Sequence, residues 1–381
     1  MKWEKVKLGE LYEVHNGLSK AGKFFGEGYP FLTFSTVFNN YFIPKQITDL
    51  VQSTEKEQES YSIRRGDVFV TRTSETSDEL GMSCVALKDY PMATYNGFTK
   101  RMRPITNRVL PEYIGYYMRL PSFRGEFRAF STMTTRASLR NEDLLGLEVK
   151  LPSIEIQKQI ADILSAYDDL IENNQRQIKL LEEAAQRLYK EWFVDLRFPG
   201  YENTKIVDGV PEGWSRGLLK ELISVNYGKD HKKAPDDGNI PVYGSGGLMR
   251  KCNKSLFSGE AVLIPRKGSL NNIMYVDETF WTVDTMFYAT MKQPHTAVFV
   301  YFFVKAFDMY SMNIGAAVPS MTTKILDAMD VVIPDKETLE KFDKCAKTYF
   351  NKIKTLQGQN ERLKTARNLL LPKLMSGEVE V

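Results

Sequence analysis

The side chains best suited to chemistry in this chain are basic and small polar residues, which recur in short stretches between apolar runs. Lysine and arginine neutralise phosphates, while arginine and serine can also pair with base edges in a DNA groove. The candidate DNA contacts are Arg72, Ser74, Arg101, Thr134 and Arg136 in the first half, and Lys229, Lys232, Ser245, Arg266, Lys267 and Ser269 in the second. For any single stretch a solvated surface is the simpler interpretation. Their recurrence at corresponding places in two halves favours DNA binding.

Residue patterns of catalysis are missing from the sequence. It has no phosphate-binding loop ending in Gly-Lys-Ser/Thr, no dinucleotide glycine fingerprint, and no Asn/Asp-Pro-Pro-aromatic signature of amino-methylating enzymes. The glycine-rich run 244–247 is interpreted as a flexible loop. His15, His231 and His295 are far apart and show no metal-type spacing. We therefore expect no catalytic residues, no metal site and no cofactor bound by this chain.

Composition indicates an ordinary globular protein in a reducing compartment. The 381 residues are 43% hydrophobic and 26% charged, with a formal net charge of +3. Three scattered cysteines argue against a disulfide framework. The start of the chain lacks the apolar core of a signal peptide, and the longest apolar run, 297–304, is too short to span a bilayer. We expect a cytoplasmic protein without a membrane partner.

Two amphipathic segments must position the basic stretches. In residues 152–193 apolar positions follow one another at spacings of four and three, the 3.5-residue period of a helix that packs lengthwise on another helix. Adding 182 to each number gives a second seam, in a helix expected from about Asp335 to Leu371 and ended or kinked by Pro372. The seam positions include Ile160, Tyr167, Ile171, Leu181 and Trp192 in the first helix, and Phe342, Tyr349, Ile353, Leu363 and Leu370 in the second.

The repeat extends beyond the helices and predicts an internal duplication. Trp3 and Trp214 begin two globular segments with equivalent apolar positions. The residue numbers of equivalent positions differ by 211 at the start of these segments and by 182 in the helices. Apolar and β-branched runs between turn residues favour strands in both segments, and residues 111–130 favour a helix. Both seams carry an asparagine, Asn174 and Asn360, which either fixes the helix register or is tolerated at a partly open position. Arg367, also in the seam, is expected to reach outward along its aliphatic stem.

Taken together, these features resemble the specificity (S) subunit of a Type I restriction-modification enzyme. The resemblance covers essentially the whole chain, and the segments that carry it are Leu151-Pro152, Gln157 to Ala161, Trp192 to Asp195, Val210 to Trp214 and Leu370 to Glu378. The second helix departs from the family pattern, since its start at Asp335 to Leu339 lacks the usual glutamine-rich run.

The resemblance implies an α+β fold in which two duplicated mixed α/β target recognition domains are separated by two long helices that form an antiparallel coiled-coil spacer. The expected boundaries are 1–150 and 205–332 for the recognition domains, and 151–198 and 333–377 for the spacer helices. Within this pattern the segments 134–138, 243–245 and 266–269 are expected near DNA.

The resemblance also implies partners. Each recognition domain would read one half of a split site in double-stranded DNA, two methylation (M) subunits would dock on the helices, and restriction (R) subunits would join that core. S-adenosylmethionine, ATP and Mg would be bound by those partner subunits. Two other classes stay open: the specificity part of a single-chain nuclease-methylase, whose catalytic motifs are absent here, and a non-catalytic coiled-coil scaffold that binds proteins only. A steep fall of DNA affinity with salt would separate DNA binding from the scaffold.

Overall fold

The computed structural model describes residues 3–74, 80–129, 137–312 and 320–381. They divide into two units: unit 1 comprises Met1–Asn173 and Asn360–Val381, and unit 2 comprises Asn174–Gln359. Each unit combines a strand-rich globular part with segments of two long helices. The mixed α/β fold class and the two long helices are as the sequence predicts.

Unit 1 is built on a four-stranded sheet in the order β2-β9-β5-β7 and a three-stranded sheet in the order β4-β3-β8. Its strands are β1 (Glu4–Lys7), β2 (Tyr12–Asn16), β3 (Phe25–Leu32), β4 (Leu50–Val51), β5 (Val68–Thr71), β6 (Thr73–Ser74), β7 (Ser83–Val85), β8 (Thr94–Tyr95), β9 (Thr99–Pro104), β10 (Ala137–Ser138) and β11 (Glu148–Leu151). Its short helices are α1 (Leu8–Leu11), α2 (Phe34–Asn39), α3 (Glu55–Ser60), α4 (Pro111–Tyr117), α5 (Pro121–Ala129) and α6 (Asn141–Gly146), with a 3₁₀ turn at Gly22–Phe24.

Unit 2 is built on a six-stranded sheet in the order β15-β20-β18-β19-β16-β17. Its strands are β12 (Ile206–Val207), β13 (Val210–Pro211), β14 (Ser215–Leu218), β15 (Ile223–Tyr227), β16 (Ile240–Gly244), β17 (Gly247–Cys252), β18 (Phe257–Pro265), β19 (Met274–Thr282), β20 (Met286–Met291) and β21 (Asp330–Ile333). Its short helices are α8 (Ala297–Lys305) and α9 (Thr323–Asp327), and 3₁₀ turns lie at Tyr201–Asn203, Leu219–Glu221 and His231–Lys233. The long helices are α7 (Ile154–Tyr189), which continues as a π-helical turn at Lys190–Val194, and α10 (Lys336–Ser376).

Strand register supports the duplication residue by residue. In unit 1 Glu4 lies opposite Leu151, and in unit 2 Ser215 lies opposite Ile333, positions related by the sequence offsets of 211 and 182. The parallel pairs agree as well, since β3 and β16 pair with β8 and β19 at matching positions. Two segments that share pairing partners and register share a framework. The two units therefore differ in the turns and loops that connect the shared strands.

The single helix expected over residues 111–130 is wrong, because the structure divides it into α4 and α5. Pro121 stands at the first position of the second helix, where its missing N–H and fixed φ suit a helix start and oppose a continuing helix. Between the two helices Arg119 turns its guanidinium toward the end of α2, where it donates to the carbonyls of Val37 at 2.8 Å and Asn40 at 2.7 Å. The break therefore places a cation at the carbonyl end of α2, which favours positive charge.

The predicted seams of α7 and α10 face the interior of the chain. Five of the predicted positions are buried and five are half-buried: Ile160, Ile171, Trp192, Phe342 and Ile353, and then Tyr167, Leu181, Tyr349, Leu363 and Leu370. In unit 1 the turns of α7 from Ile160 to Asp168 meet α10 from Met375 back to Arg367, so the helices run antiparallel there. In unit 2 the rings of Trp192 and Phe342 lie 5.8 Å apart.

Two expectations about α10 are wrong: that it ends near Leu371, and that Arg367 reaches outward. Pro372 does not end the helix, which continues to Ser376, because Leu371, Leu374 and Met375 are buried in the core of unit 1 and hold the last turn in place. Arg367 does not reach outward: its side chain is 12% exposed and its guanidinium pairs with Asp168 of α7. The same guanidinium lies 4.9 Å from the centre of the Tyr41 ring.

The seam asparagines are both buried, with Asn174 8% exposed and Asn360 5% exposed. This contradicts the interpretation that they are tolerated at partly open positions. A buried amide in a helical seam restricts the registers in which neighbouring helices can pack, so register selection is the role that the burial favours.

Asp335 starts α10 and offers a test of this end of unit 2. Its carboxylate accepts from the backbone of Thr338 at 2.9 Å and from the indole of Trp214 at 2.9 Å. Burial alone would raise the pKa of Asp335, but the hydrogen bonds from Thr338 and Trp214 outweigh it and lower the pKa. We expect Asp335→Ala to reduce the free energy of unfolding of unit 2 by about 1 kcal/mol, as for other helix N-caps.

The pH dependence follows from the lowered pKa. Stabilisation by the carboxylate is fully present above the unfolded pKa of about 3.9 and is lost as the pH falls through the lower folded value. In chemical denaturation the difference between wild type and variant should therefore shrink below about pH 4. The exposed Asp330 supplies the control, Asp330→Ala. A difference that persists unchanged at low pH would contradict the capping role.

Candidate nucleic-acid interface

In unit 2, three predicted DNA contacts lie on neighbouring turns at one end of the six-stranded sheet. Arg266 and Lys267 follow β18, and their backbone N–H groups donate to the carbonyl of Thr285 at 2.8 and 3.2 Å. Lys229 follows β15, and its N–H donates to the carbonyl of Thr282 at 2.9 Å. Backbone bonds thus fix the turns, while the side chain of Arg266 is half-buried and those of Lys229 and Lys267 are exposed.

The glycine-rich run interpreted as a flexible loop is instead fixed at both ends. It forms the turn of the β16–β17 hairpin, in which Gly244 pairs with Gly247. The carbonyl of Ser245 accepts from the side chain of Asn272 at 2.9 Å, so this turn lies beside the loop that follows Arg266. Gly268 has a φ of 83° and lies against the Ser245 side chain, which leaves little room for a larger residue. Ser269 on the same loop is exposed. Four predicted contacts, Ser245, Arg266, Lys267 and Ser269, are therefore brought together.

Lys232 lies on a separate 3₁₀ turn capped by Asp230, whose carboxylate accepts from the Lys232 N–H at 3.0 Å. The side chain is exposed. Arg250, a further basic residue, is not free to reach DNA in this arrangement because it donates to the carbonyl of Ala234 at 2.8 Å and pairs with Asp236. Arg250 therefore supports the turn that presents Lys232.

In unit 1 the backbone around Arg72 matches that around Arg266. The carbonyl of Arg72 accepts from Leu139 at 2.9 Å, and the carbonyl of Arg266 accepts from Met321 at 2.9 Å. Leu139 and Met321 are related by the offset of 182. The two arginines thus occupy equivalent places, each next to a turn that precedes a central strand. This equivalence was not visible from residue types alone.

The prediction that Arg101 is available to contact DNA is wrong. Arg101 lies on β9 and is 3% exposed, and its guanidinium donates to the carbonyl of Ser62 at 2.7 Å. Its neighbour Lys100 is also buried, at 6% exposed, and burial and then the nearby charge of Arg72 lower the pKa of Lys100. The basic run at this position serves the interior of unit 1. A run of charged residues cannot reveal this, because the partner of Arg101, the Ser62 carbonyl, comes from a distant segment.

Three other predicted contacts are placed only in part. Thr134 and Arg136 lie outside the described residues. Ser74 belongs to β6, where it pairs with Ala137 of β10, and its side chain is not among those described. The same two segments continue to Arg72, whose carbonyl accepts from the Leu139 N–H at 2.9 Å.

Sequence reasoning missed two exposed aromatic residues at the same turns. Phe98 is 60% exposed, and its carbonyl accepts from the Arg72 N–H at 3.0 Å. Tyr227 is 54% exposed, and the Arg266 guanidinium lies 5.6 Å from the centre of its ring. For Phe98 a signal was present, because Asn96-Gly97 is a typical tight-turn dipeptide and Phe98 directly follows it.

Comparison with known proteins distinguishes a DNA specificity subunit from a scaffold that binds only proteins. A family model described as the Type I restriction modification DNA specificity domain matches residues 1–183 and 211–365. The chain belongs to this family. Both matched spans contain one globular repeat and part of a long helix, so the Type I specificity domain occurs twice. A scaffold that binds only proteins is therefore not favoured, and the chain is a specificity subunit, the non-catalytic component of a Type I system.

Individual relatives agree over nearly their whole length. The chain is 25% identical to the Type I restriction enzyme MjaIX specificity subunit of Methanocaldococcus jannaschii, covering 100% of this chain and 94% of that protein. It is 23% identical to the HindI specificity subunit of Haemophilus influenzae, covering 99% of each. The crystal structure of a Type I S subunit from M. genitalium has the same fold, with a TM-score of 0.59, 16% identity and coverage of 98% and 96%.

In the part of the chain that the structure describes, no helix combines the length and apolarity of a transmembrane span. Within the same residues, no three His, Cys, Asp or Glu side chains are grouped so as to hold a metal ion.

Substitutions at Arg266 and Arg101 should affect different quantities, DNA affinity for Arg266 and stability for Arg101, and this difference tests the assignment of the interface. Replacing Arg266 and Lys267 by alanine should weaken binding to one half-site by about 1–3 kcal/mol per lost base contact, and by less for a phosphate contact. The melting temperature should change less than in an Arg101→Ala variant, because the Arg266 side chain is only half-buried and that of Lys267 is exposed. Arg101→Ala should instead lower the free energy of unfolding, by roughly 1–3 kcal/mol for unsatisfied buried carbonyls.

Titration of both variants with half-site DNA, beside thermal melts, measures both quantities. Equal weakening on both half-sites, or none, would show that the Arg266 turn does not read DNA.

Proposed function

We propose that this specificity subunit reads a bipartite DNA target, with one half-site bound by each unit and a nonspecific gap between them. The observation that carries this proposal is the equivalence of Arg72 and Arg266 on two frameworks of identical register. Equivalent positions that carry different neighbours would let two units bind DNA in the same manner and read different sequences. Exposed cations at Lys229 and Lys267 would neutralise phosphates, which makes the affinity strongly dependent on salt.

The helices would set the gap. About 40 helical residues at 1.5 Å per residue span roughly 60 Å, which compares with one or two turns of DNA at about 34 Å per turn. The bases between the half-sites would be crossed without being read.

The same helices would carry the partners. Because the seam positions of the helices expected to dock the methylation subunits are buried or half-buried in this chain, docking must use the outer faces. Those faces carry leucines among polar residues: Leu170 is 51% exposed, Leu180 59% and Leu369 66%. Two methylation subunits would dock there and restriction subunits would join them, and those partners would bind S-adenosylmethionine, ATP and Mg. This subunit would supply the sequence specificity, and the partner subunits would supply the catalysis.

The gap prediction is tested by lengthening α7. Inserting four residues near Asn174, roughly one helical turn, should move one domain by about 6 Å. The preferred gap should then lengthen by about two base pairs at 3.4 Å each, while both half-site sequences stay the same. The insertion disturbs the four-three rhythm of the seam, so a thermal melt must first show that the variant folds. Methylation at the original gap by a folded variant would show that the helices do not set the spacing.

The assembly prediction concerns the exposed leucines. Co-expression with methylation subunits should give a two-to-one complex by light scattering, and Leu369→Glu should weaken it because a carboxylate would be buried at an apolar contact. Leu369 lies outside the core, so the variant should keep its melting temperature. A stable monomer that ignores the methylation subunits would contradict this arrangement.

A further inference from the structure

Phe98 stands out among the exposed apolar residues because its turn is rigid. The side chain of Asn96 accepts from the Phe98 N–H at 2.7 Å, and the carbonyl of Asn96 accepts from the Thr99 N–H at 3.0 Å and from the Thr99 hydroxyl at 2.7 Å. Gly17, which directly follows β2, leaves no room for a side chain against Asn96. Because these hydrogen bonds fix the turn, the Phe98 side chain, which is 60% exposed, stays directed into solvent.

The position of this turn in the repeat shows which residue of unit 2 corresponds to Phe98. Asn96 donates its N–H to Leu32 at 3.0 Å, and in unit 2 Val283 donates to Tyr243 at 3.0 Å. Thr285 therefore takes the place of Phe98 in unit 2, and each residue's carbonyl accepts from the equivalent arginine, Arg72 or Arg266. The arginine is shared by the two units, whereas the turn residue beside it differs. A shared cation is suited to a common contact, and a differing neighbour is suited to discrimination.

Chemistry then restricts the ligand. A phenyl ring offers no hydrogen bond to a base edge, but it can contact the C5 methyl group of thymine in the major groove. We propose that Phe98 is a specificity-determining residue that contacts the C5 methyl of a thymine in the half-site read by unit 1, beside Arg72 as the anchor. This inference rests on the proposed bipartite function. In unit 2 the equivalent residue, Thr285, is half-buried and has no ring, so we assign this contact to the unit 1 half-site alone.

The test uses the complex with its methylation subunits and a target found by selection from a random DNA library. Each thymine in the unit 1 half-site is replaced in turn by deoxyuridine, which removes only the C5 methyl. Wild type should lose about fourfold in affinity at one thymine, the weight of one buried methylene-sized group. Phe98→Ala should bind the thymine target more weakly than wild type does and should no longer distinguish thymine from uracil there.

Two comparisons keep the result specific. Ile105 is 57% exposed at the opposite end of β9, so Ile105→Ala should leave the discrimination unchanged. Affinity for the unit 2 half-site should stay the same in every variant. A half-site without thymine, a wild type indifferent to every uracil, or a Phe98→Ala variant that still discriminates would each overturn the inference. Those outcomes leave bipartite recognition intact, whereas a target that is not bipartite would overturn the proposed function itself.

Discussion

Burial of the apolar seams of α7 and α10 is the constraint on which each unit depends. In unit 1 the core that contains Val6 and Val149 also contains Ile160 of α7 and Leu374 of α10. In unit 2 Phe193, which follows α7, lies 4.8 Å from Phe342 of α10 and 4.8 Å from Phe299 of α8, measured between ring centres. Each such side chain contributes roughly 1.5–3 kcal/mol when fully buried. The globular parts are therefore completed by the helices, and unit 1 needs the last turns of the chain to fill its core.

This dependence explains why the framework repeats so closely. Antiparallel pairs β1–β11 and β14–β21 bring the start of each globular part beside the start of the helix that leaves it. Changes in that register would move the whole side-chain pattern of a strand to the opposite face. The turns around Arg72 and Arg266 are not part of that register, so their sequences are free to differ. Recognition surfaces built from turns on a fixed sheet follow from this division.

The sequence predicts the architecture well because duplication and periodicity are visible in one dimension. Local chemistry is harder to predict, as Arg101 and Arg72 show. Both lie in stretches predicted to contact DNA, but Arg101 turns inward to the Ser62 carbonyl, which comes from a distant segment. Arg367 is similar, since its partner Asp168 lies 199 residues away in the chain. Helix boundaries fail for a related reason: Pro121 separates α4 from α5, whereas Pro372 is tolerated where Leu371 and Leu374 are buried.

The central claim is that one chain carries two readers of different DNA sequence on one repeated framework. Methylome sequencing of the host with and without this gene tests it most directly, because the modified sites report the whole target. The account predicts that deleting the gene abolishes methylation at one motif composed of two different specific parts around a nonspecific gap of fixed length. Loss of a single continuous motif, or no change in the methylome, would contradict it.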